Sequence, residues 1–220
     1  MKQILQDTIT LDYLNQKYYI TKHCGYNRYA MTIITAFELG LWNAWIFILP
    51  VIFAPIFGSR MLGRRKSEES SGVTKGKTSS MLYFSIVILS YAYSVFLPLK
   101  LDTILLVIGL LIYLPAIFFL IAGLLIFATT RADALVTKGA YGISRNPSYV
   151  SAFFINIGIG VACFSWVFLL VAIVDFLLLG YDVVIVEEPF LLENYGDRYR
   201  EYMKRTPRWI GIPKSERKQS

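Results

Sequence analysis

The 220 residues are 55% hydrophobic and only 17% charged, with a mean hydropathy of +0.52. A soluble domain carries about a quarter charged residues, so the composition excludes an ordinary soluble globule and fits a chain whose solvent is largely lipid. The net charge of +7 sits in loops beside apolar runs, which favours a membrane surface over nucleic acid as the partner.

Cys24 and Cys163 make no disulfide framework, and with His23 as the single histidine neither a metal site nor a histidine-based triad is expected. The N-terminus lacks a short basic start followed by an apolar core, so no cleavable signal peptide is expected.

Residues 1–29 are polar and tyrosine-rich. Leu11, Leu14 and Tyr18 recur at helical spacing, which fits either a stripe lying on the membrane or a partly ordered terminus. The region 30–128 reads as three membrane helices. The first apolar run, Ala30–Phe57, contains Glu38, and Pro50 and Pro55 are expected to kink or end it. Gly58–Ser80 is rich in Ser, Gly, Lys and Arg and reads as a flexible exposed loop. Two further runs, Met81–Leu99 and Ile104–Ala128, are separated by a turn at Lys100 and Asp102. Both are near the ~20 residues that cross a bilayer.

Thr129–Ser148 is polar again, and the apolar stretch from Tyr149 to Val186 suits two spans rather than one. The break is expected near Phe164–Ser165–Trp166, with Gly158, Gly160 and Ala162 letting the two hairpin helices approach closely. Beyond Glu187 the chain is basic and polar, and residues 211–220 form a basic tail. Leu191, Tyr195, Tyr199 and Tyr202 recur at helical spacing, so an amphipathic helix is expected there, weakened or broken at Gly196. The fold class is therefore all-α, a polytopic membrane bundle of about five spans with a C-terminal amphipathic cytosolic helix. Loop 58–80, loop 129–148 and the tail share one side, the cytosol by their charge, with the N-terminus outside.

The chemistry-bearing residues lie at the two ends of the final hairpin. Before it stand Tyr141, Arg145, Asn146 and Pro147, and after it Glu187 and Glu188. Asn146-Pro147 fits a plain helix start, with Asn as the cap and Pro at the first turn, and the glutamates fit a solvated helix end. Brought to one membrane face, the same groups suit a ligand with a cation, a carboxylate and hydroxyls. Arg grips a carboxylate bidentately, carboxylates accept from hydroxyls, and Tyr covers a purine face. Asp175 lies inside the last span with Asp182 seven residues on. An acidic stripe attracting an amine-bearing substrate and a pairing within the bundle both fit.

The motifs resemble the isoprenylcysteine carboxyl methyltransferase and phospholipid methyltransferase superfamily. They are Leu135-Val136-Thr137, Gly139-Ala140-Tyr141, Arg145-Asn146-Pro147-Ser148-Tyr149, an apolar hairpin, Glu187-Glu188, Tyr195-Gly196 through Tyr199 and Tyr202, and Pro207-Arg208. Their order and spacing agree over roughly residues 131–210. The resemblance implies S-adenosylmethionine as cofactor, bound facing the cytosol, and a lipophilic acceptor entering from the bilayer. It puts Leu135, Val136, Tyr141, Asn146, Pro147, Ser148, Tyr149 and Glu187 at cofactor-contact positions, with Arg145 and Glu188 completing the motifs.

Three positions depart from the pattern. Asn146 stands for the usual His and does not titrate near neutral pH. Ser151 stands for a Gly, and Val183 occupies the place of an Arg that meets an acceptor carboxylate. The last departure argues against a prenylcysteine acceptor. The expected function is methylation of a lipid or other lipophilic molecule. The alternatives are an isoprenylcysteine carboxyl methyltransferase and a non-catalytic relative that binds lipid or a partner. A small transporter is disfavoured because no inverted repeat is found.

Overall fold

The structure, a computed structural model, describes residues 42–62, 77–99, 101, 103–131 and 134–211. The expectations for the N-terminal segment, Glu38, most of the basic loop and the tail 212–220 lie outside these residues. Among the described residues the chain is helical, with no strand and one isolated bridge between Asn43 and Pro98.

Helix α1 spans Trp45–Leu62, α2 Lys77–Ser94 and α3 Ile104–Thr129. A short α4, Ala140–Ile143, precedes the hairpin of α5, Pro147–Ala162, and α6, Trp166–Asp182. A π-helical turn, Val183–Glu187, joins α6 without a break to α7, Glu188–Tyr195, and α8 covers Asp197–Arg205. Pro50 and Pro55 do not end α1, which runs through both. α1 and α2 also reach into the 58–80 stretch from either side, so its two ends are helical.

The hairpin turns where the sequence places it. α5 ends at Ala162, and Phe164 takes φ 54° just before α6 starts at Trp166. Gly196, at φ 52°, separates α7 from α8, a conformation that costs glycine little.

The most extensive packing is between α3 and α5, followed by the hairpin pair α5 and α6. α1 packs on α3, and α2 on α6. The small residues of α5 divide between these neighbours. A Cβ on Gly158 would lie 2.9 Å from the Tyr113 backbone nitrogen, and one on Gly109 would lie 2.5 Å from Ala162 Cβ. Gly158 and Ala162 therefore face α3 rather than the hairpin partner. Gly160 alone meets α6, where its Cβ would approach Leu169. The sequence reading missed this because Gly109 lies far away in the chain, and spacing on α5 does not name the partner helix.

A core of Phe47, Ile48, Tyr113, Ile117, Ile155, Ile159 and Phe168 joins α1, α3, α5 and α6. Tyr113 donates its phenol to the Phe47 carbonyl at 2.6 Å, which satisfies the polar end of a buried ring. α3 and the continuous helix 166–195 are long and apolar enough to cross a membrane. At 1.5 Å per residue the 26 residues of α3 measure about 39 Å, more than the ~30 Å hydrocarbon core. In their most apolar windows only 17% and 22% of the residues are buried, and Phe118, Leu111 and Leu177 stand largely exposed. A core helix of a soluble protein is covered by neighbours, whereas these exposed apolar surfaces fit a lipid environment.

Candidate functional site

The polar end of the hairpin is built on one carboxylate. Glu188 opens α7 and is 6% exposed. Arg145 reaches its Oε1 at 2.9 Å, from the extended residues just before α5. Arg208 grips it with two parallel bonds, Nε to Oε1 at 2.9 Å and Nη2 to Oε2 at 2.8 Å. A buried carboxylate needs this compensation, and the planar guanidinium fork supplies it. The bonds to Glu188 hold the Arg208 guanidinium above its ordinary pKa despite partial burial.

Backbone bonds fasten the same segments together. The Arg145 N–H donates to the Pro207 carbonyl at 3.0 Å, and the Ser144 hydroxyl to the Arg208 carbonyl at 3.3 Å. Asn146 occupies the cap position before Pro147, but its side chain makes no cap bond. Its amide donates to the Arg208 carbonyl at 3.0 Å instead. The helix-start expectation thus holds for Pro147, buried at the first turn, while Asn146 holds the C-terminal segment. Tyr202 of α8 donates to the Tyr141 carbonyl at 2.6 Å, and the Tyr141 ring stacks near Phe127 of α3. Burial is the main force raising the Tyr202 and Tyr199 phenols above the usual tyrosine range. Near Tyr199, Arg145 works against that rise and Glu188 adds to it.

Of the residues singled out from the sequence, Tyr149 and Glu187 meet directly. The Tyr149 phenol donates to Glu187 Oε1, and both side chains are half-buried. Arg145, Asn146 and Glu188 meet through Arg208, and Tyr141 is held by Tyr202. Ser148 is half-buried in the first turn of α5. Val136 is buried, whereas Leu135 lines a separate surface groove with Arg131 and α8. Asp182 is buried next to the π turn. Asp175, 2% exposed, accepts from Asn156 Nδ2 at 3.2 Å through Oδ2. Pairing within the bundle therefore accounts for one oxygen. Its Oδ1 is buried without a hydrogen-bond partner among the described residues.

Arg208, Tyr199 and Tyr202 belong to the cluster and were not among the residues chosen from sequence. Pro207-Arg208 and the spaced tyrosines were part of the motif set, so the signal was present. It did not say that Arg208 folds back onto a carboxylate twenty residues earlier. The π turn was not foreseen either. Such turns concentrate at functional sites, and this one lies between buried Asp182 and Glu187.

The residues fit a polar cofactor on one structural observation. Arg145 Nε is a buried donor with no acceptor among the described residues, although Nη1 is engaged by Glu188 and Tyr199. An anionic oxygen of a ligand would satisfy it.

The family model for phospholipid methyltransferase matches residues 103–198, from the start of α3 into α8. Over that stretch the chain is similar to that family, as the resemblance drawn from the motifs implies. No curated protein matches the chain.

Proposed function

We propose that this chain is an integral membrane methyltransferase that uses S-adenosylmethionine to methylate a lipid or other lipophilic acceptor. The observation that carries the reading is the convergence of the two motif stretches on one end of the hairpin, tied by Arg145, Glu188 and Arg208. The family match supports the methyl transfer, and the exposed apolar helices support the membrane.

In this reading five spans cross the bilayer, α7 continues the last of them into the cytosol, and α8 is an amphipathic helix on the cytosolic side. The basic composition of loop 58–80, loop 129–148 and the tail supports that orientation. Residues 129–210 make the cofactor region, 30–128 the three preceding spans. When bound, S-adenosylmethionine supplies an electrophilic methyl on a sulfonium. The protein's part is to orient that donor and keep water away. Glu187, steadied by Tyr149, accepts from the donor's hydroxyls or ammonium. Arg145 Nε takes its carboxylate, while the Glu188 lock keeps Arg145 in place. Val136, Tyr141, Asn146, Pro147, Ser148 and Tyr149 complete the wall, while Leu135 lies on the separate groove. Asp175 and Asp182 hold an amine-bearing acceptor.

The test is binding of labelled S-adenosylmethionine to the purified chain, then transfer of its methyl to a lipid extract. Saturable binding with label in the organic phase is expected. No binding would overturn the reading. Binding without transfer to any lipid class would mark a non-catalytic relative. For topology, Ser70→Cys and Ser220→Cys should resist labelling from outside intact cells, and labelling of either would refute five spans in this orientation.

A further inference from the structure

We propose that the groove lined by Arg131, Leu135, Thr137 and α8 binds the phosphate of an anionic lipid headgroup at the membrane interface. The proposal rests on the membrane placement of the chain and not on methyl transfer.

The groove has a volume of about 490 Å³ and is lined by Arg131, Leu135, Thr137, Arg198, Glu201 and Arg205, backed by Tyr202. Among the described lining residues there are three guanidiniums and one carboxylate. Arg198 and Arg205 are seven residues apart, two turns of α8, and so share one face of that helix. The neighbouring face is anchored, because Tyr199 and Tyr202 are buried against the Glu188 cluster. Arg131 comes from a different element, the segment just after α3. Two arms of opposite origin thus present forks that match phosphate oxygens, and the Thr137 hydroxyl adds a donor of another shape.

The position of the groove selects the lipid source. α3 stays apolar up to Thr129, and Arg131 follows two residues later. Ile121 and Leu125, in the last turns of α3, are exposed apolar side chains. A ligand held at Arg131 therefore sits where hydrocarbon gives way to headgroups. Leu135 gives the groove an apolar wall suited to the glycerol end of a lipid. Glu188, Arg145, Arg208 and Asp175 do not line it, and Tyr202 is the one residue it shares with the Glu188 cluster.

The experiment uses the full chain in detergent, with native mass spectrometry to count bound short-chain phosphatidylglycerol. The double variant Arg198→Gln with Arg205→Gln should bind it roughly tenfold to thirtyfold more weakly, given about a factor of five for each cation near an anionic surface. Lys204→Gln, on the same helix but outside the groove, should bind as the parent does. Inorganic phosphate and S-adenosylmethionine should each fail to displace the lipid. Equal binding by parent and double variant, or an equal loss with Lys204→Gln, would overturn the proposal. Displacement by inorganic phosphate would make the groove a free-anion site. Displacement by S-adenosylmethionine would give the groove to the cofactor. Affinity for S-adenosylmethionine, measured on the same variants, is expected to be unchanged. A chain that binds no S-adenosylmethionine at all yet shows the lipid result would refute the proposed enzyme while leaving the groove standing.

Discussion

Arg145 and Arg208 share Glu188, one from each side of the final hairpin, and Glu188 is more deeply buried than either partner needs to be for a surface ion pair. Removing that carboxylate leaves two cations facing each other, with Arg145 8% exposed. Breaking a buried pair from one side costs about 3–5 kcal/mol. Glu188→Gln should therefore destabilise the protein by on the order of 3 kcal/mol. Arg208→Gln should cost less, because that side chain is 37% exposed and solvent screens it. Thermal unfolding in detergent reads both. A Glu188→Gln variant as stable as the parent, or less harmful than Arg208→Gln, would show that the triad does not hold the site together.

Glu187 and Glu193 separate ligand binding from general charge. Glu187 is half-buried and bonded to Tyr149, while Glu193 is exposed on α7. Loss of a charge-assisted hydrogen bond costs roughly 1.5–3 kcal/mol, one to two decades in affinity. Glu187→Ala should weaken S-adenosylmethionine binding by that amount, and Glu193→Ala should leave it within a factor of about two. Calorimetry decides between them. Equal effects of the two substitutions would remove Glu187 from the cofactor site.

Close packing of α3 on α5 gives a stability prediction with opposite signs. Gly109→Ala would put a Cβ 2.5 Å from Ala162 Cβ and 2.6 Å from the Gly158 carbonyl oxygen. Overpacking of this kind costs about 1–3 kcal/mol. At Gly180, within α6, the same methyl would meet only the Trp209 ring at 3.5 Å. Gly180→Ala should gain about 0.5–1 kcal/mol from helix propensity. Melting temperatures that move together for the two variants would contradict the close crossing.

Alkaline pH tests the C-terminal helix. Burial raises the Tyr202 phenol above the usual tyrosine value of about 10, and its proton is used in the bond to the Tyr141 carbonyl. A raised folded-state value means that folding favours the protonated form. The stabilisation is complete below about pH 10 and is lost as pH climbs from there through the folded-state value. Tyr202→Phe gives up the hydrogen bond at neutral pH but should flatten that alkaline loss. Unfolding midpoints measured across pH 8–11.5 check it, and identical alkaline slopes for parent and variant would exclude Tyr202 as the titrating group.

The sequence made the helical class, α3 and the hairpin turn legible because each depends on local pattern. Ile104–Thr129 is an unbroken apolar run, and Phe164–Ser165 interrupts the next one. Contacts between distant residues were not legible. Gly109 against Ala162, Arg208 against Glu188 and Asn156 against Asp175 join helices whose order along the chain leaves their pairing open. Val183–Glu187 illustrates another limit. Its valines and isoleucine read as the tail of a span, and no residue type there marks the π turn. The ordered motif set compensated in part, since it grouped Tyr141–Tyr149 with Glu187-Glu188 before any geometry was known.

Asp175 and Val183 together set the acceptor. Val183 is fully buried at the place where the related pattern carries an Arg, so no cation stands there to receive an acceptor carboxylate. Asp182 immediately precedes that position and Asp175 lies about two turns before it, both buried on the same helix, and would repel one. Asp175 has one oxygen engaged by Asn156 and one without a partner among the described residues, which leaves an acceptor for an ammonium or amine N–H. A farnesylcysteine analogue should therefore be a poor substrate and a lipid bearing a primary or secondary amine a better one. Asp175→Asn keeps the size of the side chain and its contact with Asn156 but removes the charge and the basic oxygen. Proton transfer by a positioned group is worth about 10²–10⁴ in rate, so turnover of the amine should fall by at least about a hundredfold. Affinity for S-adenosylmethionine should not change, because Asp175 is not part of the Glu187 cluster. Mass spectrometry of the methylated lipid and calorimetry of the cofactor give the two readings independently. Robust methyl-ester formation on the farnesylcysteine analogue, or full amine turnover by Asp175→Asn, would show that the acidic face of α6 does not choose the acceptor.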